Sequence, residues 1–294
     1  MTTPLVSAEI ASQPHAWRQA AALAASSPLP ARGLRVAVVG CGTSWFIAQA
    51  YAARREALGH GLTDAFAASE FPAGRDYDLV VAISRSGTTT EVLELLTALR
   101  GRVRTLAVIG DPESPGRSAA DDVVVLPFAD ERSVVQTRFA TSTLSLLRAG
   151  LGEDVEALAS AADETVHWQV PESLLERSQF TFLGRGWSVG LAHEAALKAR
   201  EAAIAWTESY PAMDYRHGPK AISDDSSAVV FLGERPEGLV AEVEATGALA
   251  VWFDEDPQLT LVRCQLFAVA HALGKGLDPD RPRNLTRSIV LSGE

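Results

Sequence analysis

The sequence predicts an α/β fold of two tandem domains, each a doubly wound parallel sheet flanked by helices. Short apolar, β-branched segments alternate with helical segments along the chain, as in parallel sheets. The succession of strand, Gly-x-Gly and helix occurs twice, at Gly40-Cys41-Gly42 and at Gly184-Arg185-Gly186. Neither motif continues to the third glycine of a dinucleotide site, which disfavours that ligand. In such sheets, ligands bind at the carboxyl ends of the strands.

The individual elements follow from local runs of residues. In the first half, strands are predicted at residues 36–39, 79–83, 105–109 and 123–126, and helices at 45–58, 91–99 and 137–149. In the second half, strands are predicted at residues 180–183, 228–232 and 249–253, and helices at 191–201 and 262–273. The expected organisation is an N-terminal helical segment (1–34), a first domain (35–150), a helical linker (151–177) and a second domain with a C-terminal tail (178–294).

The composition excludes several classes of protein. A formal charge of -11 argues against nucleic acid as a partner, since a phosphate backbone requires a basic surface. No apolar run approaches the roughly 18 residues that span a membrane, and no signal peptide precedes the first domain. Cys41 and Cys264 are too far apart in sequence to indicate a metal or disulfide framework. We therefore expect a cytoplasmic protein with no membrane partner and no bound metal.

The most informative segment is residues 84–89, which we call the hydroxyl loop. It follows a buried-type strand and precedes a helix, where N–H groups and the helix dipole attract anions. Its hydroxyl residues are Ser84, Ser86, Thr88 and Thr89, grouped around Gly87 and accompanied by Arg85. Serine and threonine are also common helix N-caps. Because one cap needs only one hydroxyl, four of them favour an anion site.

Several motifs carry a resemblance to a known family. In the first half they are residues 40–44, 68–71 and 84–89, and in the second half residues 183–186, 194–201, 208–210 and 217–219. Together they resemble the two sugar isomerase (SIS) domains of glucosamine-6-phosphate synthase, in order, from about residue 35 onward. The glutamine-hydrolysing domain of the synthase and its nucleophilic cysteine have no counterpart in this sequence. We therefore expect the isomerase, deaminase or lyase branch of the family.

The resemblance implies a phosphosugar as the small-molecule partner. It assigns the 6-phosphate of the sugar to hydroxyls in the two Gly-rich and Ser-rich motifs. These are Ser44, Ser84, Ser86 and Thr89, with Thr43 and Cys41 beside Ser44. Glutamine is usual in the family where this chain has Arg85. A cation there adds charge to the phosphate site or pairs with a partner subunit.

The resemblance also implies acid–base chemistry without a cofactor. Glu201 matches the carboxylate that moves a proton between C1 and C2 of the sugar. Glu194, Lys198 and Glu201 are spaced by four and three residues and therefore share one helical face. From the residues alone, a solvated ion pair is the alternative interpretation.

His217 matches the histidine that opens the sugar ring. In the family it reaches into the site of the neighbouring subunit, which implies a homodimer with shared active sites. Imidazole is the side chain that gains and loses a proton near neutral pH. The alternative is an ordinary surface histidine.

The C-terminal tail departs from the family pattern, because Arg287 stands where the synthase has the lysine that forms an imine with the open ketose. A guanidinium stays protonated and cannot form a Schiff base. We therefore lean towards elimination of water at C3 from an N-acetylhexosamine 6-phosphate. Isomerisation or deamination is the alternative, and a non-catalytic phosphosugar sensor is the third hypothesis.

Overall fold

The structure is a computed structural model that describes residues 3–291. The chain divides into two compact units. The N-terminal unit comprises residues 12–159 together with the tail, residues 286–291. The C-terminal unit comprises residues 160–285 together with residues 3–11. Residues 3–11 and 286–291 thus each belong to the unit that is distant from them in sequence.

The N-terminal unit is built on a parallel sheet of five strands in the order β2-β1-β3-β4-β5. The strands are β1 (Val36–Gly40), β2 (Thr63–Ala67), β3 (Leu79–Ser84), β4 (Arg104–Ile109) and β5 (Asp122–Val125). The helices are α2 (Gln13–Ala24), α3 (Thr43–Ala57), α4 (Thr90–Leu99) and α5 (Arg138–Gly150), with short 3₁₀ turns at Ala68–Glu70, Pro115–Ser118 and Pro127–Ala129.

The C-terminal unit is built on a parallel sheet of four strands in the order β7-β6-β8-β9. The strands are β6 (Gln179–Gly184), β7 (Trp206–Pro211), β8 (Ser227–Leu232) and β9 (Leu249–Val251). The helices are α1 (Leu5–Ala11), α7 (Glu172–Leu175), α8 (Ser188–Ala203), α9 (Leu239–Glu244) and α10 (Pro257–Gly274), with 3₁₀ turns at Asp214–His217 and Pro219–Ile222. Helix α6 (Val155–Thr165) joins the two units.

The two sheets share one order of strands. In each, the first strand along the chain lies inside the sheet, and the next two strands flank it on opposite sides. The order therefore reverses between β1 and β3 in one sheet and between β6 and β8 in the other. Ligands of doubly wound sheets bind in the crevice outside the carboxyl ends of the strands at such a reversal.

The α/β class and the parallel sheets are confirmed, and two strands differ from the sequence interpretation. The predicted strands at 36–39, 79–83, 105–109 and 228–232 lie within fully or largely buried strands. The outer strands β2 and β7 were not predicted. Both are mostly half-buried and mix polar with apolar residues, so neither presents the apolar run by which the inner strands are found. Within residues 3–291, no helix is long and apolar enough to cross a membrane.

Candidate active-site elements

The hydroxyl loop lies at the carboxyl end of β3, directly before α4. Gly87 adopts a left-handed backbone conformation with φ of +61°. Residues other than glycine adopt this conformation only at a cost in free energy. A Cβ at this position would also lie 2.0 Å from Ser114 Oγ, and Gly87 O accepts a hydrogen bond from Gly116 N at 2.9 Å. Glycine therefore sets both the turn and its packing against the following 3₁₀ turn.

The hydroxyls of the loop converge on one another. Ser84 Oγ accepts from Gly87 N at 3.1 Å and lies 3.3 Å from Thr89 Oγ1. Ser86 Oγ accepts from the backbone N of Thr88 at 3.2 Å and from its hydroxyl at 2.9 Å. The loop thus carries two pairs of hydroxyls beside the N-terminus of a ten-residue helix.

The alternative of a simple helix cap is not what the loop shows. Thr89 holds the N-cap position of α4 with an extended backbone, but its side chain makes no capping hydrogen bond. Its hydroxyl is directed to Ser84 instead. The Thr89 hydroxyl is therefore part of the hydroxyl pairing within the loop and does not serve as a helix cap.

The second hydroxyl motif lies at the start of α3, just after the strand that neighbours β3. Thr43 and Ser44 begin α3 directly after β1, and both side chains are buried. Strands β1 and β3 are hydrogen-bonded neighbours, so their carboxyl ends meet at the same edge, where the strand order reverses. Cys41 is half-buried there, and its thiol pKa is raised by burial and by the nearby Glu91 carboxylate. The pKa shift disfavours a thiolate nucleophile at this position.

Arg85 is directed to a different partner from the one its place in the loop suggested. Its guanidinium is buried and donates to the carbonyl oxygens of Ser133 at 3.0 Å and Val134 at 3.2 Å. It also forms an ion pair with the buried Glu131 at 3.9 Å. These contacts occupy the cation within the protein, so its charge is largely compensated rather than presented to an anion.

Arg287 and the tail lie against the same region. Arg287 Nη2 forms a 2.5 Å ion pair with Asp130, and Arg287 Nε donates to the carbonyl oxygen of Glu131 at 3.0 Å. The next residue, Ser288, has its hydroxyl 3.0 Å from that of Ser86 and 2.8 Å from that of Thr88. Sequence reasoning missed Ser288, because about 200 residues separate it from the loop that it contacts.

In the C-terminal unit, one face of α8 carries the predicted acid–base cluster of Glu194, Lys198 and Glu201. Lys198 Nζ lies 2.5 Å from Glu201 Oε2 and 3.5 Å from Glu194 Oε1. The side chains of Lys198 and Glu194 are 1% and 0% exposed, whereas that of Glu201 is 19% exposed. A solvated surface pair would be open to water, and this cluster is not. Glu201 is its one member with an accessible edge.

His217 lies in the 3₁₀ turn that follows β7 and is exposed. Within residues 3–291 its imidazole has no hydrogen-bond or ion-pair partner. The turn around it is held by Glu242 of α9, which accepts from Arg216 Nε at 2.9 Å and from Lys220 Nζ at 2.8 Å. Hydrogen bonds from these two cations lower the pKa of Glu242 to about 2. The Glu242 carboxylate is therefore ionised near neutral pH and can pair with both cations.

Glu208 is a polar residue of the motif at residues 208–210 to which the sequence analysis assigns no role. It lies on β7, and one of its carboxylate oxygens is buried and has no hydrogen-bond partner among the described residues. On the opposite face of β7, Ser209 lies 2.9 Å from His193 Nδ1 of α8. Burial and the nearby Arg200 lower the pKa of His193.

Among residues 3–291, no cluster of three or more His, Cys, Asp or Glu residues is arranged to hold a metal ion.

Comparison with known proteins is consistent with this arrangement. Residues 31–151 match the SIS domain family. The glutamine–fructose-6-phosphate aminotransferase (isomerizing) of Pyrobaculum aerophilum is 31% identical over 264 residues, which cover 73% of this chain and 44% of that protein. The homologous enzyme of Sulfurisphaera tokodaii is 29% identical, covering 87% of this chain and 50% of that protein. The chain thus spans about half the length of the curated relatives that it matches.

Solved structures are similar over nearly the whole chain. Glucosamine-6-phosphate deaminase from Thermotoga maritima has a TM-score of 0.85 and 25% identity, covering 97% of this chain and 99% of that one. Tagatose-6-phosphate ketose/aldose isomerase from Escherichia coli has a TM-score of 0.78 and 20% identity, covering 97% and 95%. The second likeness is one of fold.

Proposed function

We propose that this chain is an enzyme that binds an amino-sugar 6-phosphate and moves a proton at its C2 carbon. The hydroxyl loop with Ser44 binds the phosphate, Glu201 takes the C2 proton, and Lys198 holds the Glu201 carboxylate in place. The observation that carries the proposal is the burial of Lys198 between two carboxylates. Lysine is almost never fully buried unless it is paired. This pair lies on the helix that follows β6, next to the reversal of strand order at which doubly wound sheets bind their ligands.

The proposal includes a second SIS domain at residues 178–294. Its support is the strand order of the C-terminal sheet, which repeats the first four positions of the N-terminal sheet. Gly184-Arg185-Gly186 ends β6 as Gly40-Cys41-Gly42 ends β1, and a helix follows in both. The repeat is one of topology, and it agrees with the two Gly-x-Gly motifs in the sequence.

The first candidate reaction is isomerisation with or without deamination. After C2 deprotonation, protonation at C1 yields the ketose form. If C2 carries a free amine, water then replaces that amine and ammonia leaves. The likeness to glucosamine-6-phosphate deaminase from Thermotoga maritima, which covers 97% of this chain, favours this outcome.

The second candidate is elimination from an N-acetylhexosamine 6-phosphate. After loss of the C2 proton, the C3–O bond breaks and water leaves, so no imine is needed. The observation in its favour concerns the lysines. The chain has three, and Lys220 and Lys275 are held by Glu242 and by the Ala203 carbonyl. Arg287, in the position of the imine lysine, is paired with Asp130.

Spectroscopy in D2O distinguishes these reactions. The purified protein is incubated separately with glucosamine 6-phosphate and N-acetylglucosamine 6-phosphate and followed by NMR. Ammonia release with deuterium at C1 of the ketose product indicates the deaminase, and a new vinylic proton indicates elimination. Tight binding without exchange at C2 of either sugar would contradict the enzymatic proposal and indicate a sensor.

We also propose a homodimer in which His217 serves the site of the partner subunit. Inactive His217→Ala and inactive Glu201→Gln subunits are mixed and allowed to exchange. In each mixed dimer, one of the two sites has both groups intact, so part of the wild-type activity should return. If mixed dimers form and stay inactive, His217 does not act across subunits.

A further inference from the structure

The two positions at which this chain departs from the SIS pattern lie in contact with each other. Arg85 replaces the usual glutamine and Arg287 the usual lysine, and they are 202 residues apart in sequence. Arg85 Nη2 donates to the carbonyl oxygen of Arg287 at 2.5 Å. A guanidinium in the loop thus binds the backbone of the very residue that carries the other guanidinium.

Both cations are held by consecutive acids. Arg287 pairs with Asp130, while Arg85 pairs with Glu131, whose carbonyl also accepts from Arg287. Glu131 is itself fixed, since its Oε1 accepts from the backbone N of Thr137 at 2.7 Å and of Arg138 at 2.6 Å at the start of α5. The acids therefore form a rigid platform at the N-terminus of a buried helix.

This platform fixes the part of the tail that lies on the hydroxyl loop. Beyond Arg287, the Ser288 hydroxyl contacts Ser86 and Thr88. The Ile289 carbonyl accepts from Thr90 N at 3.3 Å, and Leu291 N donates to Thr90 Oγ1 at 2.9 Å. The tail thus follows the loop from the phosphate-binding hydroxyls to the first residue of α4.

We propose that Arg85 and Arg287 are coupled positioning residues that anchor the tail on the hydroxyl loop, with Asp130 and Glu131 as their platform. This rests on the proposed function insofar as the anchored tail supports phosphosugar binding. Arginine suits the role because its rigid fork donates to several oxygens at once, whereas glutamine or lysine at these positions could make only part of the set. In this role Arg287 holds the tail in position and takes no part in the chemistry.

The test compares Arg85→Gln, Arg287→Lys, Asp130→Asn and the double variant Arg85→Gln/Arg287→Lys. Arg281→Lys is the matched control. Arg281 lies six residues before Arg287, and its ion pair with Asp278 is exposed. Hydrogen exchange is measured at the amides of Thr90 and Leu291, which report the tail contacts directly. Far-UV circular dichroism and melting temperature establish that each variant is folded.

We expect at least tenfold faster exchange at both amides in each single variant and unchanged exchange in the control. Both arginines hold the same segment, so the effects of the two substitutions should not multiply. The double variant should therefore exchange about as fast as the faster of its two single variants. Unchanged exchange in Arg287→Lys and Asp130→Asn, or fully multiplicative effects in the double variant, would overturn the coupled anchor.

Phosphosugar binding provides the functional readout. The KM for the reacting 6-phosphosugar should rise several-fold in the variants, while the rate of C2 exchange at saturation stays within about twofold. A lower KM would show that the tail obstructs the loop, and would overturn the positioning role. If the wild type binds no phosphosugar, the proposed function fails, while the exchange data still decide on the anchor.

Discussion

The two units place their polar groups by different means. The hydroxyl loop of the N-terminal unit follows β3, and the acid–base cluster of the C-terminal unit lies on α8, which follows β6. The loop uses neutral hydroxyls and backbone N–H groups, arranged by a turn around Gly87. The cluster uses charges on one helical face, with Lys198 buried between Glu194 and Glu201. Neutral donors suit the binding of a ligand that brings its own charge, whereas a compensated set of charges suits proton transfer.

The largest effect should come from Glu201→Gln. Glutamine keeps the shape of the side chain but cannot accept a proton, so C2 exchange should fall on the order of 100-fold or more. Exchange is measured by NMR in D2O, with Glu176→Gln on the same unit as the control. Exchange at C2 that survives in Glu201→Gln would assign the base elsewhere.

In the hydroxyl loop, the double substitution Ser86→Ala/Thr89→Ala should weaken binding of the phosphosugar. Hydrogen bonds to a charged acceptor contribute about 1.5–3 kcal/mol each, so losing two should raise Kd by at least about 100-fold. Titration calorimetry measures the affinity. Thr97→Ala, on the exposed side of α4, is the control. Unchanged affinity in the double variant would exclude the loop as the phosphate site.

A smaller effect should come from the network around His217. Glu242→Gln removes the carboxylate that holds both Arg216 and Lys220, and turnover should fall a few-fold because the turn loses one of its supports. These ion pairs are partly exposed and are therefore screened by salt. Addition of 0.5 M salt should accordingly also lower the turnover of the wild type. Glu244→Gln on the same helix is the control. Equal turnover in the two variants would leave Glu242 without a positioning role.

The smallest effect should be a difference in acid stability. Burial lowers the pKa of both His193 and His271, with Arg200 and Lys275 adding to it. As pH falls below about 6.5, the unfolded chain takes up protons that the folded C-terminal unit resists, so stability decreases towards the lowered folded pKa.

The N-terminal unit should resist mild acid. Burial alone would raise the pKa of Glu153, but hydrogen bonds from Arg54 and Arg148 hold it below its usual value. Its contribution is therefore present above a pH of about 4.3 and is lost only below that. Urea unfolding at pH 7 and 5.5 measures the difference. His271→Asn should reduce the pH dependence, whereas the exposed His167→Asn should not.

Local patterns in the sequence predicted the inner strands and both polar clusters, because these depend on neighbours in sequence. Glu194, Lys198 and Glu201 share a face through helical spacing alone, and the loop hydroxyls are adjacent along the chain. The outer strands β2 and β7 were missed because half-buried strands carry mixed composition. The partners of Arg85 and Arg287 could not be predicted, since burial and a distant segment decide where a guanidinium points.

The most direct test of the division between binding and proton transfer is a titration of Glu201→Gln with the 6-phosphosugar that reacts with the wild type. We expect an affinity within about twofold of the wild type in a variant whose C2 exchange is lost. The Ser86→Ala/Thr89→Ala variant, titrated in parallel, should show the weakened binding. A loss of affinity in Glu201→Gln as large as that of the loop variant would show that binding and proton transfer are not divided between the two clusters.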